Sequence, residues 1–175
     1  MMGTLAQIGA FDRWLGTLPH PRKVVIAGNH DWGFERTPVK ARSLLQHATY
    51  LEDELVTVDG VRIWGSPWQP WFYDWAFNLP RGPQIAAKWA MIPEGVDVLM
   101  THGPPAGILD RTKNGEHVGC EDLRRELLRV RPKVHVFGHI HEGYGTLEQD
   151  GVRFVNASNC SERYRAVQAP IVFDL

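Results

Sequence analysis

The chain has 175 residues, of which 43% are apolar, and its formal net charge at pH 7 is -1. This length and composition predict one globular domain, residues 1–175, with its own apolar core. Because acidic and basic residues are balanced and form no like-charged block, the sequence argues against a nucleic acid polymer as partner and against a polybasic membrane patch.

Membrane insertion and disulfide chemistry are also disfavoured. No apolar run approaches the length of a membrane span, and residues 1–20 lack the charged and apolar regions of a signal peptide. Cys120 and Cys160 have no metal-site spacing and form no disulfide framework. We therefore expect reduced thiols in a cytoplasmic protein.

Apolar periodicity and breaker residues predict the secondary structure in chain order. The first helix is expected to start at Thr4 and to bury either Phe11 or Asp12, and both predicted hairpins turn at an Asp-Gly pair. The predicted elements are a helix over 4–18, a strand over 23–27, a helix over 37–47, a hairpin over 55–65, a helix over 81–90, a strand over 96–101, a helix over 118–130, a strand over 133–137, a hairpin over 145–155 and a strand over 170–175.

An aromatic segment over residues 66–79 follows the first hairpin. It carries Trp68, Trp71 and Tyr73 among prolines and polar residues. One interpretation is an aromatic plug that packs over the core. The other is a substrate wall, formed by these three side chains, that stacks a nucleobase or another flat group.

Three of the predicted strands run into glycine-containing loops that carry His or Asn. Ligands gather outside the carboxyl ends of strands in open α/β sheets, so we expect these loops to converge. In the last loop, two histidines one residue apart are expected to face one pocket, as metal ligands do. The loops are Gly28-Asn29-His30-Asp31, Thr101-His102-Gly103-Pro104-Pro105 and Gly138-His139-Ile140-His141.

These three motifs together resemble the calcineurin-like metallophosphoesterases over nearly the whole chain. Residues 66–72, 92–97 and 141–145 narrow the resemblance to the branch of metallophosphoesterase-domain-containing proteins. The resemblance implies an α/β fold: a four-layer αββα sandwich of two mixed β-sheets flanked by helices. It also implies hydrolysis of phosphate esters by a metal-activated hydroxide, with small phosphodiesters such as cyclic nucleotides as substrates.

The resemblance assigns roles to six residues of the loops. Asn29, His102 and His139 would hold one metal ion and His141 a second, and the metals would be manganese, iron, zinc or nickel. His30 would stabilise the transition state and protonate the leaving group without binding metal. Asp31 would orient His30 from behind, although an aspartate that only forms the turn explains the residue as well.

The sequence departs from the family at one point. The family pattern opens with Asp-x-His and Gly-Asp motifs, and neither occurs in this chain. Without those ligands we expect His141 to stand alone at its site, so that one metal ion or none is firmly bound. This leaves two hypotheses: a metal-dependent phosphoesterase, or a non-catalytic member that binds at most one metal weakly.

Two further expectations concern the rest of the molecule. If the first strands of the family fold are missing, an exposed sheet edge would need cover, which a homo-oligomer would provide. A structural zinc protein is a poor alternative, because closed zinc sites usually use cysteines and neither cysteine is near the histidines in sequence.

Overall fold

The computed structural model describes residues 2–161 and 163–175. Five α-helices, ten β-strands and one 3₁₀ helix follow one another in these residues. Their bounds are α1 Leu5–Thr17, β1 Val24–Val25, α2 Trp32–Arg36, α3 Pro38–Leu44, β2 Thr49–Tyr50, β3 Glu54–Val58, β4 Val61–Ser66, β5 Gln69–Pro70, β6 Asn78–Leu79, α4 Pro83–Trp89, β7 Val98–Thr101, α5 Glu121–Val130, β8 Val134–Phe137, the 3₁₀ helix His141–Gly143, β9 Gly145–Gln149 and β10 Val152–Asn156.

A six-stranded mixed sheet forms the centre of the molecule, with strand order β3-β4-β7-β8-β10-β9. The four inner strands are parallel to one another, and an antiparallel hairpin closes each edge. Both hairpins turn through an Asp-Gly pair with positive φ at each residue, at Asp59-Gly60 and Asp150-Gly151. This turn matches the twist of paired strands, and both hairpin predictions are confirmed.

A smaller sheet and two groups of helices complete the layers. In the smaller sheet, β1 pairs in parallel with β2, and Ile26 and Leu51 just beyond these strands pack against β4 at Gly65. Helices α4 and α5 cover the other face of the large sheet through a buried cluster that includes Trp64, Trp89 and Leu123. Helices α1, α2 and α3 share a second cluster with the small sheet, so the α/β class is confirmed and its layers follow the order predicted.

The buried face of helix α1 contains Asp12, whereas Phe11 is exposed. Asp12 can be buried because its carboxylate has hydrogen-bond partners inside the protein. The Asp12 carboxylate accepts hydrogen bonds from the backbone N–H groups of Gln46 and His47, at 2.8 and 2.9 Å, and contacts the His47 ring. A buried carboxylate with several partners is stable where an unpaired one would not be. At the start of the helix, Thr4 and Gln7 form the reciprocal hydrogen bonds of a capping box.

Other element predictions need correction. Helix α5 begins at Glu121 instead of residue 118, because Cys120 accepts a hydrogen bond from Leu123 N–H and so acts as its N-cap. Leu128 of this helix is exposed. The strand predicted over residues 170–175 is wrong, since these residues form no strand, and the sequence analysis missed α2, β2, β5 and β6.

Neither cysteine forms a disulfide: Cys120 is a buried free thiol and Cys160 a partly buried one. Among the described residues, no helix has both the length and the apolar character that a bilayer span requires.

Candidate metal centre

The loops that follow β1, β7 and β8 meet at one end of the two sheets. Strands β7 and β8 are parallel neighbours, so the loops carrying His102 and His139 leave the large sheet at the same edge. The backbone N–H of Gly138 donates to the carbonyl of His102 at 3.0 Å and ties these two loops together. The loop with Asn29 and His30 reaches them from the small sheet.

One ring nitrogen of His102 lies within hydrogen-bonding distance of a side-chain atom from each of the other two loops. His102 Nε2 is 3.0 Å from Asn29 Oδ1 and 3.1 Å from His139 Nδ1. Two ligands that each lie about 2.1 Å from one metal ion are separated by roughly 3.0–3.4 Å at octahedral or tetrahedral angles. Both contacts of His102 Nε2 in this trio therefore already have the spacing of atoms that share a metal ion.

The His102 ring is seated by its contacts with the small-sheet loop. The backbone N–H of Asn29 donates to His102 Nε2 at 3.3 Å. A Cβ added at Gly28 would lie only 2.5 Å from His102 Nδ1, so this position needs glycine for the ring to pack against the backbone. Gly28 of the first motif thus leaves the space that the His102 ring of the second motif occupies.

Burial keeps both histidines of the trio neutral. The pKa of His102 is well below its ordinary value, mainly because the ring is buried and secondly because His139 is close to it. The pKa of His139 is lowered to about 4, mainly by burial and to a smaller extent by His141 and His30. A neutral imidazole is the form that binds metal, so both rings are in the ligand-competent state at neutral pH.

His30 lies in the same cavity and is bordered by aromatic rings. Its ring centroid is 4.3 Å from that of Trp75 and 5.8 Å from that of Tyr164, and the Tyr164 hydroxyl oxygen is 3.5 Å from His30 Nε2. The Asp31 carboxylate accepts a hydrogen bond from Gly28 N–H at 2.8 Å and so closes the turn, while burial raises the pKa of that carboxyl. The Asp31 side chain thus stabilises the turn that carries His30.

His141 lines the cavity at the start of the 3₁₀ helix. Its ring centroid is 6.0 Å from that of Tyr164, and it takes no part in the short contacts that join the trio. Within residues 2–161 and 163–175, no group of three or more His, Cys, Asp or Glu side chains is placed to hold a metal ion. The donor set at this edge is therefore the neutral trio that includes Asn29.

Two other histidines, His135 and His117, have hydrogen-bond partners outside this cavity. His135 is completely buried in the large sheet, and its Nε2 contacts Thr101 Oγ1 at 2.8 Å. His117 Nδ1 is 2.6 Å from a carboxylate oxygen of the buried Asp110. Neither side chain lines the cavity around the trio.

The cavity has a volume of about 580 Å³ and three aromatic side chains in its wall: Phe72, Trp75 and Tyr164. The predicted wall of Trp68, Trp71 and Tyr73 is corrected in two ways. Trp68 packs against Phe77 and donates its indole N–H to Asp53, while Trp71 and Tyr73 are largely exposed. The chain bends at Tyr73, where φ is +48°, so neighbouring aromatic residues point in different directions.

The sequence analysis missed the residues that form this wall. Phe72 and Trp75 were within reach of prediction, because they belong to the aromatic segment already singled out. Tyr164 carries no such signal: it belongs to no motif and enters the cavity through a turn in which its N–H donates to the carbonyl of Ser161.

Comparisons with known proteins agree with this fold and identify a family. A family model described as calcineurin-like phosphoesterase matches residues 3–143. Metallophosphoesterase domain-containing protein 1 of Homo sapiens is 46% identical in an alignment that covers 99% of this chain and 61% of that protein. This chain therefore spans less than two thirds of that relative.

Two solved structures share the fold at low sequence identity. One crystal structure superposes with a TM-score of 0.68 and 20% identity, over 88% of this chain and 63% of the other. A crystal structure of the protein TT1561 from Thermus thermophilus superposes with a TM-score of 0.59 and 13% identity, over 89% of this chain and 70% of the other.

Proposed function

The chain belongs to the calcineurin-like phosphoesterase family, as its motifs predict, and we propose that it hydrolyses small phosphate esters with the help of a divalent metal ion. The similarity to a human metallophosphoesterase-domain-containing protein agrees with the branch that the motifs resemble. Because this chain spans 61% of that protein, the activity proposed for this chain rests on the residues of its own site.

The observation that carries the proposal is the convergence of Asn29 Oδ1, His102 Nε2 and His139 Nδ1. Two neutral imidazoles and an amide oxygen form a donor set that suits manganese, iron, zinc or nickel. Three protein ligands with the remaining positions open is a common count for a catalytic metal. The residues present therefore fit such an ion, and we propose that these three would hold it.

A divalent ion in this place would polarise the phosphate and lower the pKa of a bound water. The remaining work falls to side chains in the same cavity. His30 is placed to donate a proton to the leaving oxygen. Trp75 and Tyr164 border its ring on two sides and restrict the orientations that the ring can adopt.

We propose small phosphodiesters, including cyclic nucleotides, as substrates. The cavity volume of about 580 Å³ suits a ligand of that size. Phe72 and Trp75 place aromatic rings beside His139 and His30, where a flat leaving group would stack. Binding of such a group would bring its ester oxygen next to the proton donor.

A second candidate function is that of a non-catalytic protein that binds at most one metal ion weakly. It is favoured by the absence of a carboxylate from the trio, since three neutral ligands leave the charge of a dication uncompensated. His141, the ligand proposed for a second ion, is not joined to the trio by hydrogen bonds.

The deciding experiment is manganese-dependent hydrolysis of bis-p-nitrophenyl phosphate by the 175-residue chain. We expect activity that requires the metal and falls to background in His102→Ala and in His139→Ala. The matched control is His117→Ala, which removes a histidine outside the cavity and is expected to keep wild-type activity.

Activity that survives both ligand substitutions would refute the proposed centre. A folded chain with no activity at all would favour the non-catalytic candidate. The substrate proposal is tested with 3′,5′-cyclic AMP, for which Trp75→Ala should raise KM while Trp71→Ala, outside the cavity, should not. Equal KM values in the two variants would remove the argument for a stacked leaving group.

A further inference from the structure

Asn156 is the last residue of β10 and its side chain is completely buried. In the parallel pair of β10 and β8 it lies opposite Phe137, just before the loop that carries His139 and His141. Its amide nitrogen donates to the carbonyls of Ile140, at 2.9 Å, and Leu109, at 3.1 Å. Its amide oxygen accepts from Ser158 N–H at 3.1 Å, so one side chain joins three loops.

The bond to Ile140 acts on the residue between two histidines of the site. The Ile140 carbonyl also accepts from Gly143 N–H at 3.1 Å, and Ile140 N–H donates to the carbonyl of Gly138 at 2.8 Å. His139 itself has a φ of +70°, a conformation that non-glycine residues adopt only when their surroundings impose it. The hydrogen bonds on either side of His139 are therefore what maintains its backbone.

The 3₁₀ helix packs closely against this amide. A Cβ added at Gly143 would overlap the Leu109 carbonyl oxygen and would lie 2.7 Å from Asn156 Nδ2. The glycine thus lets the 3₁₀ helix approach both the amide and the Leu109 loop. The three partners need a short side chain with two N–H donors and one acceptor oxygen. The asparagine amide has these groups.

We propose that Asn156 is a positioning residue that sets the geometry of His139 and His141 by clamping the backbone between them. The proposal rests on the proposed function, because it concerns the same metal centre. It adds a residue that touches neither metal nor substrate. It predicts that loss of the clamp loosens the loop and weakens metal binding while the large sheet stays folded.

The experiment compares Asn156→Ala with the wild-type chain in two measurements. The first is Mn²⁺ affinity by titration calorimetry, and we expect a loss of about 10- to 100-fold, the range typical of residues that orient metal ligands. The second is amide hydrogen exchange without metal. We expect Ile140 and Gly143 to lose protection while β9 and β10 amides keep theirs.

The matched control is Asp12→Ala, which removes another buried hydrogen-bonding side chain, in α1 outside the cavity. It should destabilise the chain but leave Mn²⁺ affinity unchanged. If Asn156→Ala fails to fold, Gly143→Ala presses on the same clamp without removing it and should shift both measurements in the same direction. Unchanged protection at Ile140 and Gly143 in the folded variant would overturn the proposal, as would unchanged Mn²⁺ affinity.

The two proposals fail in distinguishable ways. A wild-type chain that binds Mn²⁺ but hydrolyses no ester refutes the proposed activity, and both clamp measurements still apply. A wild-type chain that binds no metal refutes the proposed centre, and exchange at Ile140 and Gly143 then decides the clamp alone.

Discussion

The two sheets that build the site differ in how well they are supported. Strands β7 and β8, which lead to His102 and His139, each have a strand on both sides and a buried helix-covered face. Strand β1, which leads to Asn29, has two residues, both only partly buried, and β2 is its one strand neighbour in the described part of the chain.

This difference assigns the halves of the site different tasks. The large sheet supplies two imidazoles at positions set by its ladder, and the small sheet supplies the amide of Asn29 and the His30 ring on a lightly anchored loop. The halves meet where Asn29 contacts His102 through its side chain at 3.0 Å and its backbone at 3.3 Å. We expect the stability of the chain to lie mainly in the first half and the response to ligand mainly in the second.

The largest effect should come from the core of the large sheet. Leu99 in β7 is completely buried, and Leu99→Ala is expected to lower the free energy of unfolding by about 2–5 kcal/mol. Leu45→Ala removes the same atoms from a partly buried position beside the small sheet, so its cost should be clearly smaller. Urea denaturation of both variants measures the difference, and equal losses would mean that the two halves are equally supported.

A smaller effect is expected from metal binding. At a Mn²⁺ concentration of about 100 times Kd, the free energy of unfolding should rise by about 2.7 kcal/mol, because only the folded chain presents the trio. The gain should vanish in His102→Ala and persist in Asp12→Ala. Hydrogen exchange should slow most at residues 28–31, and slowing confined to β7 and β8 would contradict the division of tasks.

The last effect is a pH dependence that originates inside the large sheet. Thr101 donates its hydroxyl hydrogen to the carbonyl of Gly103, so His135 must donate its Nε2–H to Thr101 Oγ1. Its Nδ1 is buried and has no hydrogen-bond partner among the described residues, and burial lowers the pKa of His135 to about 3. The ring is therefore a neutral structural group beneath the loop that carries His102.

The sign of this dependence follows from the two protonation states. Between the ordinary pKa of 6.5 and the folded pKa of about 3, the unfolded chain binds a proton that the folded chain does not. Stability is therefore complete above pH 6.5 and falls with acid, for this group by up to about 1.4 kcal/mol per pH unit.

The control is His135→Gln, in which an amide can replace the hydrogen bond to Thr101 without titrating. Its unfolding free energy should depend less on pH between 6 and 4 than that of the wild-type chain. Because His102 and His139 also have lowered pKa values, the difference between the two chains isolates His135. Parallel pH curves would show that His135 is not buried as a neutral ring.

The accuracy of the sequence analysis differed between the regular elements and the aromatic segment. The Asp-Gly turns, the Thr4 cap and the apolar spacing of α1 are local signals, and each predicted its element to within a few residues. The aromatic segment over 66–79 has no period, so its side chains could not be assigned to core, solvent or cavity. Tertiary contacts decided that Phe72 and Trp75 line the cavity while Trp68 packs against the core.

The sequence alone determined the family, the α/β class and the loops of the site, because glycines, histidines and strand patterns are properties of contiguous residues. The tertiary structure decided which atoms meet: that Asn29 Oδ1, His102 Nε2 and His139 Nδ1 converge, that His141 is outside this trio, and that Asn156 clamps the loop between them. The contacts within the trio join residues 37 to 73 positions apart. They depend on sheet register and on burial, which no local pattern encodes.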